Sequence, residues 1–175
     1  MNIKKLIISI ISVILCFLLQ STILSQFKMG NIMPNLLVVI IASLGFLLGR
    51  RAGLIIGFTC GLVNDIFFHD IIGFYACLFM FIGYLNGEFE RIFLPHDIKL
   101  PIATIVFSDF AYSNICYVFL FLLKGRFDYL FFLQRIIIPE LIYTTVLACI
   151  IYPFLNSIFM RIDTKEAQKG DSYIA

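Results

Sequence analysis

Charge is scarce in this chain: only 14% of its 175 residues are Asp, Glu, Lys or Arg, where a soluble domain carries about 25%. Tryptophan is absent, and there are two histidines (His69 and His96), five prolines and five cysteines. Each shortage excludes something. With so few charges against 61% hydrophobic residues, a chain this short cannot hide its apolar surface as a water-soluble domain must. An ordinary cytosolic enzyme and a disordered segment are both ruled out. A net charge of +2 supplies no basic field, so no nucleic acid is expected as a partner. Cys16, Cys60, Cys77, Cys116 and Cys149 lie in apolar stretches without C-x-x-C spacing or a nearby histidine. They read as small apolar side chains rather than a metal or redox centre, and no cofactor is implied. Neither H-E-x-x-H nor G-x-S-x-G occurs. No lysine sits in the core of an apolar run, so a Ser–Lys intramembrane protease would lack its base.

What the chain has instead is apolar length, with a mean hydropathy of +1.01. A helix needs about 20 apolar residues to cross about 30 Å of hydrocarbon. Six stretches qualify, at 6–27, 32–48, 52–68, 71–87, 100–123 and 136–160. They predict an all-α, polytopic integral membrane protein: one six-helix transmembrane domain over 1–160 and a polar, disordered cytoplasmic tail over 161–175. The first run follows Lys4 and Lys5, as a secretory signal would. It is longer than a usual signal core and no A-x-A-like site follows, so it reads as a retained span. Met29–Gly30–Asn31, Arg50–Arg51, His69–Asp70 and Lys124–Asp128 are turns, and 88–99 has the pattern of a short interfacial helix. Ten-residue alternating segments, the mark of a membrane β-barrel, are missing.

Small residues recur every fourth position. Gly53, Gly57 and Gly61 line one face of the third span, Gly45 and Gly49 precede them, and Gly83 and Gly87 repeat the spacing in the fourth. Such stripes let helix backbones approach closely. Three carboxyls fall inside spans, where each costs roughly 2.5–3.5 kcal/mol near the bilayer centre and therefore faces the bundle interior. Asp65 follows Asn64 near the outer end of span three. Glu140 lies near the outer end of span six, on one face with Tyr143 and Thr144. Asp109 lies in the cytoplasmic half of span five, on one face with Tyr112, Ser113 and Cys116. Asp65 and Asp109 fall at different depths, which argues against an aspartyl protease. These groups read first as hydrogen-bonding contacts between helices or with a partner, for which a neutral amide would serve as well as an acid. The competing reading is an ion path or a polar ligand pocket.

The pieces LLQSTIL (18–24), PNLL (34–37), GRRAGLIIGFTCGLVNDIFF (49–68), GFYACLFMFIGYLNG (73–87) and PELIYTTVLACIIYP (139–153) together resemble the rod shape-determining protein MreD family. The resemblance runs from about Leu19 to Pro153. One departure is Thr144, where the family often has Asn. The resemblance implies a non-enzymatic scaffold of the bacterial cell-elongation machinery in the cytoplasmic membrane. Its partners would be the bitopic protein MreC, and RodA with a class B penicillin-binding protein. MreB filaments would be coupled indirectly, and the lipid bilayer surrounds the whole. The family also resembles, at fold level, the substrate-binding subunits of energy-coupling-factor vitamin transporters. In such a subunit Asp65, Glu140, Tyr75 and His69 would hold the ligand.

Orientation follows the Lys and Arg bias. With the N-terminus in the cytoplasm, nine of thirteen basic residues fall on that side and four on the other, which predicts both termini inside. Single cysteines placed within 88–99 of a Cys-free version should resist an impermeant thiol reagent in intact cells. Ready labelling there would reverse the orientation.

Overall fold

The computed structural model describes residues 3–24, 34–68, 71–92, 99–120 and 129–172. All regular structure among them is helical: α1 (Ile3–Leu18, continued by a wider π-helical turn, Leu19–Leu24), α2 (Leu36–Leu48), α3 (Arg50–Phe68), α4 (Phe74–Ile92), α5 (Lys99–Leu120), a one-turn α6 (Tyr129–Phe132) followed by a second π turn (Leu133–Ile137), and α7 (Ile138–Ser172). Among the described residues, four helical stretches are long and apolar enough to cross a membrane: Ile3–Thr22, Arg50–Phe68, Lys99–Phe119 and Tyr129–Thr164. The chain is an all-α, multi-pass membrane bundle.

Its centre is the shortest of the six long helices. Nearly every residue of α2 is apolar, and Leu36 through Phe46 are all buried. A helix that is apolar all round belongs inside a bundle. The other five surround it in the order α3, α4, α5, α7, α1. At 1.5 Å per residue, the 13 residues of α2 reach only about 20 Å. Pro34 and Asn35, immediately before it, are not helical. The central helix therefore starts part-way through the bundle.

Glycine sets the spacing of three of these helices. Gly49, with φ +82°, caps α2 and hands the chain directly to α3, and an L side chain would be strained there. A Cβ added to Gly53 would meet the Gly83 carbonyl and Gly45. One on Gly57 would meet the backbone of Phe79 and Met80, and one on Gly61 that of Tyr75 and Ala76. Gly83 in turn abuts the Gly53 backbone, and Gly87 abuts Arg50. The pairing is antiparallel, and it brings α3 and α4 together backbone to backbone. At the end of this seam Arg50 Nη1 lies 3.4 Å from Glu88 Oε2.

The first turn of α1 meets α7 at that same end of the bundle, where Lys5 Nζ pairs with Asp163 Oδ1 at 2.6 Å and sits over the Phe159 ring. At the opposite, far end α1 finishes and α2, α4 and α7 begin. Several helix ends differ from the sequence reading: α2 starts at Leu36 rather than 32, since Pro34 and Asn35 are not helical, and α4 starts at Phe74 rather than 71. Helix α4 continues through Glu88 to Ile92 instead of stopping at Gly87, so the interfacial helix expected over 88–99 is partly a continuation of span four. Residues 93–98, like the turns expected at 29–31, 69–70 and 124–128, lie outside the described residues. Helix α7 runs on to Ser172 where a disordered tail was expected. The tail contains Lys, Glu, Ala and Gln, which are good helix formers, and extending an existing helix needs no new nucleus.

Substituting Gly57 by Leu should cost more than the roughly 1–3 kcal/mol of ordinary core overpacking, because backbone rather than a movable side chain stands in the way. Gly73 has φ +106° but open space around the site of its missing Cβ. Gly73→Ala should therefore cost only the left-handed penalty of about 1–2 kcal/mol. Thermal aggregation in mild detergent, followed by size-exclusion chromatography, should rank Gly57→Leu well below Gly73→Ala. Equal midpoints would show that the α3–α4 seam is not close-packed.

Candidate functional site

Neighbouring residues of α3 divide two tasks at the far end. Asp65 is fully buried and points at the start of α4. Its Oδ2 accepts from Gly73 N (2.7 Å) and Ala76 N (3.1 Å), and its Oδ1 from Tyr75 N (3.2 Å). The first turn of a helix has N–H groups without internal partners and carries a positive partial charge. Asp65 thus caps α4 from the preceding helix. Asn64, about 100° around α3, faces the other way and lines a cavity.

That cavity has a volume of about 410 Å³. Its polar wall is formed by Gln20 and Ser21 of the π turn, Asn35, Asn64, Tyr112 and Glu140, and its apolar wall by Phe17, Phe68 and Phe79. Two of these residues hold the buried start of α2. Gln20 Oε1 accepts from Leu37 N at 3.0 Å, and Asn35 Oδ1 accepts from Val38 N at 3.2 Å. The π turn widens α1 at this point, and π bulges are frequent at functional sites. Tyr112 lies against Phe79 with ring centroids 5.5 Å apart, in a row that continues through Tyr75.

Glu140, in the first turn of α7, accepts a 3.4 Å hydrogen bond from Ser113 of α5. One turn deeper, Thr144 Oγ1 lies 3.5 Å from Asn35 N and gives its own hydrogen to the Glu140 carbonyl at 2.8 Å. Asp109 faces Thr144 across the α5–α7 interface. It is fully buried, and neither carboxyl oxygen has a hydrogen-bond partner among the described residues. Two stripes that look separate in the sequence, Asp109–Tyr112–Ser113 and Glu140–Thr144, thus form one polar cluster behind the cavity. Asp65 belongs to neither.

The remaining sequence candidates fall as follows. Gly53, Gly57, Gly61, Gly83 and Gly87 form the α3–α4 seam. Tyr143, about 100° around α7 from the buried Thr144, is 39% exposed and is not one of the buried polar groups. His69 lies outside the described residues. Of the groups expected to hold a vitamin, Asp65 is committed to α4 and Tyr75 is buried among aromatic rings. Glu140 does line the cavity. The sequence reading missed Gln20 and Asn35. Their signal was a polar residue at either end of an apolar run, in LLQSTIL and PNLL.

The sequence reading treats an amide as a sufficient substitute at Asp65, and the geometry corrects that. An Asn can keep the two bonds made by Oδ2, but its –NH2 then meets the Tyr75 N–H, donor against donor. Leu would leave all three donors unpaired, at roughly 1–3 kcal/mol for each buried group. Thermal midpoints in mild detergent should fall from unsubstituted to Asp65→Asn to Asp65→Leu. An Asn variant as stable as the unsubstituted protein would show that the Tyr75 bond contributes nothing.

No curated protein and no solved structure matches this chain. A family model does, that of the rod shape-determining protein MreD, across residues 1–162. The far-end cavity, the polar cluster and the glycine seam all lie within that span, and the chain belongs to the MreD family.

Proposed function

We propose that this protein is a non-enzymatic scaffold subunit in the cytoplasmic membrane of a rod-shaped bacterium, with both termini in the cytoplasm. It binds an MreC-like bitopic protein and helps couple MreB filaments to RodA and a class B penicillin-binding protein. The observation that carries this reading is family membership over residues 1–162, since the family's described role is rod shape determination. The bundle supplies suitable docking faces. Along α7, Ile142, Val146, Ile150 and Phe154 are each more than half exposed at four-residue spacing, a smooth apolar stripe along which a partner helix can lie. Lys5 at the start of α1 pairs with Asp163 of α7, two residues after Arg161, and Arg50 and Arg51 lie at the same end. Basic residues gathered there favour a cytoplasmic placement.

A second reading, a vitamin-binding transporter subunit, draws on the cavity beside Glu140. Affinity purification of the tagged protein from membranes in mild detergent distinguishes the two. An MreC-like protein should be recovered in amounts comparable to the bait, and Val146→Arg should reduce that recovery if α7 is the docking face. Recovery of energising ATPase subunits, without any MreC-like protein, would replace the scaffold by the transporter.

A further inference from the structure

The far-end cavity offers a pattern of donors and acceptors that neither the packing nor a scaffold role uses. Asn35 is 6% exposed. Its side-chain oxygen is taken by the Val38 N–H, which fixes the amide orientation because only oxygen can accept there. Its –NH2 donates to no described residue, and Asn35 is one of the residues that line the cavity. Gln20 repeats the arrangement, with Oε1 on Leu37 N and –NH2 left at the wall. Both amides flank the N-terminus of α2, the positive end of a helix dipole. This side of the cavity suits an oxyanion. On the α7 wall Glu140 presents a carboxyl that no described Lys or Arg pairs, and its one described bond is the 3.4 Å contact from Ser113. That side suits an ammonium group. Phe17, Phe68 and Phe79 provide apolar wall. Phe17 meets Phe67 edge-on and Phe68 at a tilt, with centroids 6.0 and 5.7 Å apart. These ring contacts join α1 to α3 without the backbone packing seen between α3 and α4. Among the described residues, side-chain contacts rather than backbone packing close this seam.

We propose that the cavity binds a zwitterionic head group, an oxyanion joined by a short linker to a protonated amine. The amine lies on Glu140, the oxyanion on the amides of Gln20 and Asn35, and the apolar remainder against the phenylalanines. An aminophospholipid entering through the α1–α3 seam and a free zwitterion such as phosphoethanolamine share this chemistry. The volume of about 410 Å³ falls within the range of small-molecule sites, roughly 300–1,000 Å³. This site stands or falls independently of the scaffold reading, because neither partner binding nor topology enters the argument.

The test uses the purified full chain in a neutral maltoside detergent, by native mass spectrometry and thermal unfolding. The probes are phosphatidylethanolamine, phosphatidylglycerol and soluble phosphoethanolamine. Phosphatidylethanolamine should bind at least about tenfold more tightly than phosphatidylglycerol, the effect of one charge-assisted hydrogen bond. The net charge of +2 would by itself favour the anionic lipid. Binding of phosphoethanolamine would identify the free zwitterion as sufficient. Its failure beside a binding aminophospholipid would identify the lipid as the source, and both results support the site. Glu140→Gln should abolish the preference. Ser21→Phe, which fills the cavity without touching the α2 cap, should weaken phosphatidylethanolamine binding about tenfold, whereas Glu88→Gln at the opposite end should leave it unchanged. Equal binding of the two phospholipids overturns the proposal, and so does a preference that survives Glu140→Gln. Should Glu140→Gln fail to fold, undiminished binding by Ser21→Phe overturns it instead.

Discussion

The close approach of α3 to α4 is the constraint on which the rest of the bundle rests. Lipid tails are as apolar as leucine, so water expulsion does not drive helices together inside a membrane, and association depends on contact itself. Gly53, Gly57 and Gly61 let the α4 backbone approach at Gly83, Phe79 and Ala76. Gly45 brings α2 against the same point on α4. The three helices become one unit, in which the single residue Gly49 joins α2 to α3. With α2 held there, α5, α7 and α1 complete the ring around it.

Burying α2 creates a second problem, and the solution shapes the site. A helix that starts inside a bundle has its first N–H groups away from water, where each unsatisfied group is costly. Gln20 and Asn35 supply the acceptors for Leu37 and Val38. To do so they must stand at the start of α2, and the space above the shortened helix is left open. The cavity is thus a consequence of a central helix of 13 residues in a membrane that longer helices cross. Asp65 answers the same need at the start of α4 and is consumed by it. Asp109 serves no helix start, and Glu140, although in the first turn of α7, accepts no backbone N–H there among the described residues. These two carboxyls remain to give the α5–α7 side of the bundle its chemical character.

Membrane residence, six apolar helices, the glycine stripe and the family were legible in the sequence because each is written in local composition or short periodicity. A run of about 20 apolar residues has one stable environment. Glycine at every fourth position has one plain use in a bundle. Helix ends were less legible, since a charge such as Glu88 or Arg161 ends an apolar run without ending backbone hydrogen bonding. The continuations of α4 to Ile92 and of α7 to Ser172 follow from that difference.

The site could not be read in the same way, because it depends on which faces meet. Asn64 and Asp65 are adjacent in sequence, yet one lines the cavity and the other caps α4. Asp109 and Glu140 are 31 positions apart and belong to one cluster through Ser113 and Thr144. Gln20 and Asn35 gain their role only from the depth at which α2 begins. Local sequence determines that a polar group inside an apolar helix must find a partner. The identity of that partner depends on the rotation and depth of each helix, and the backbone contacts of Gly45, Gly53 and Gly83 set these for the central three.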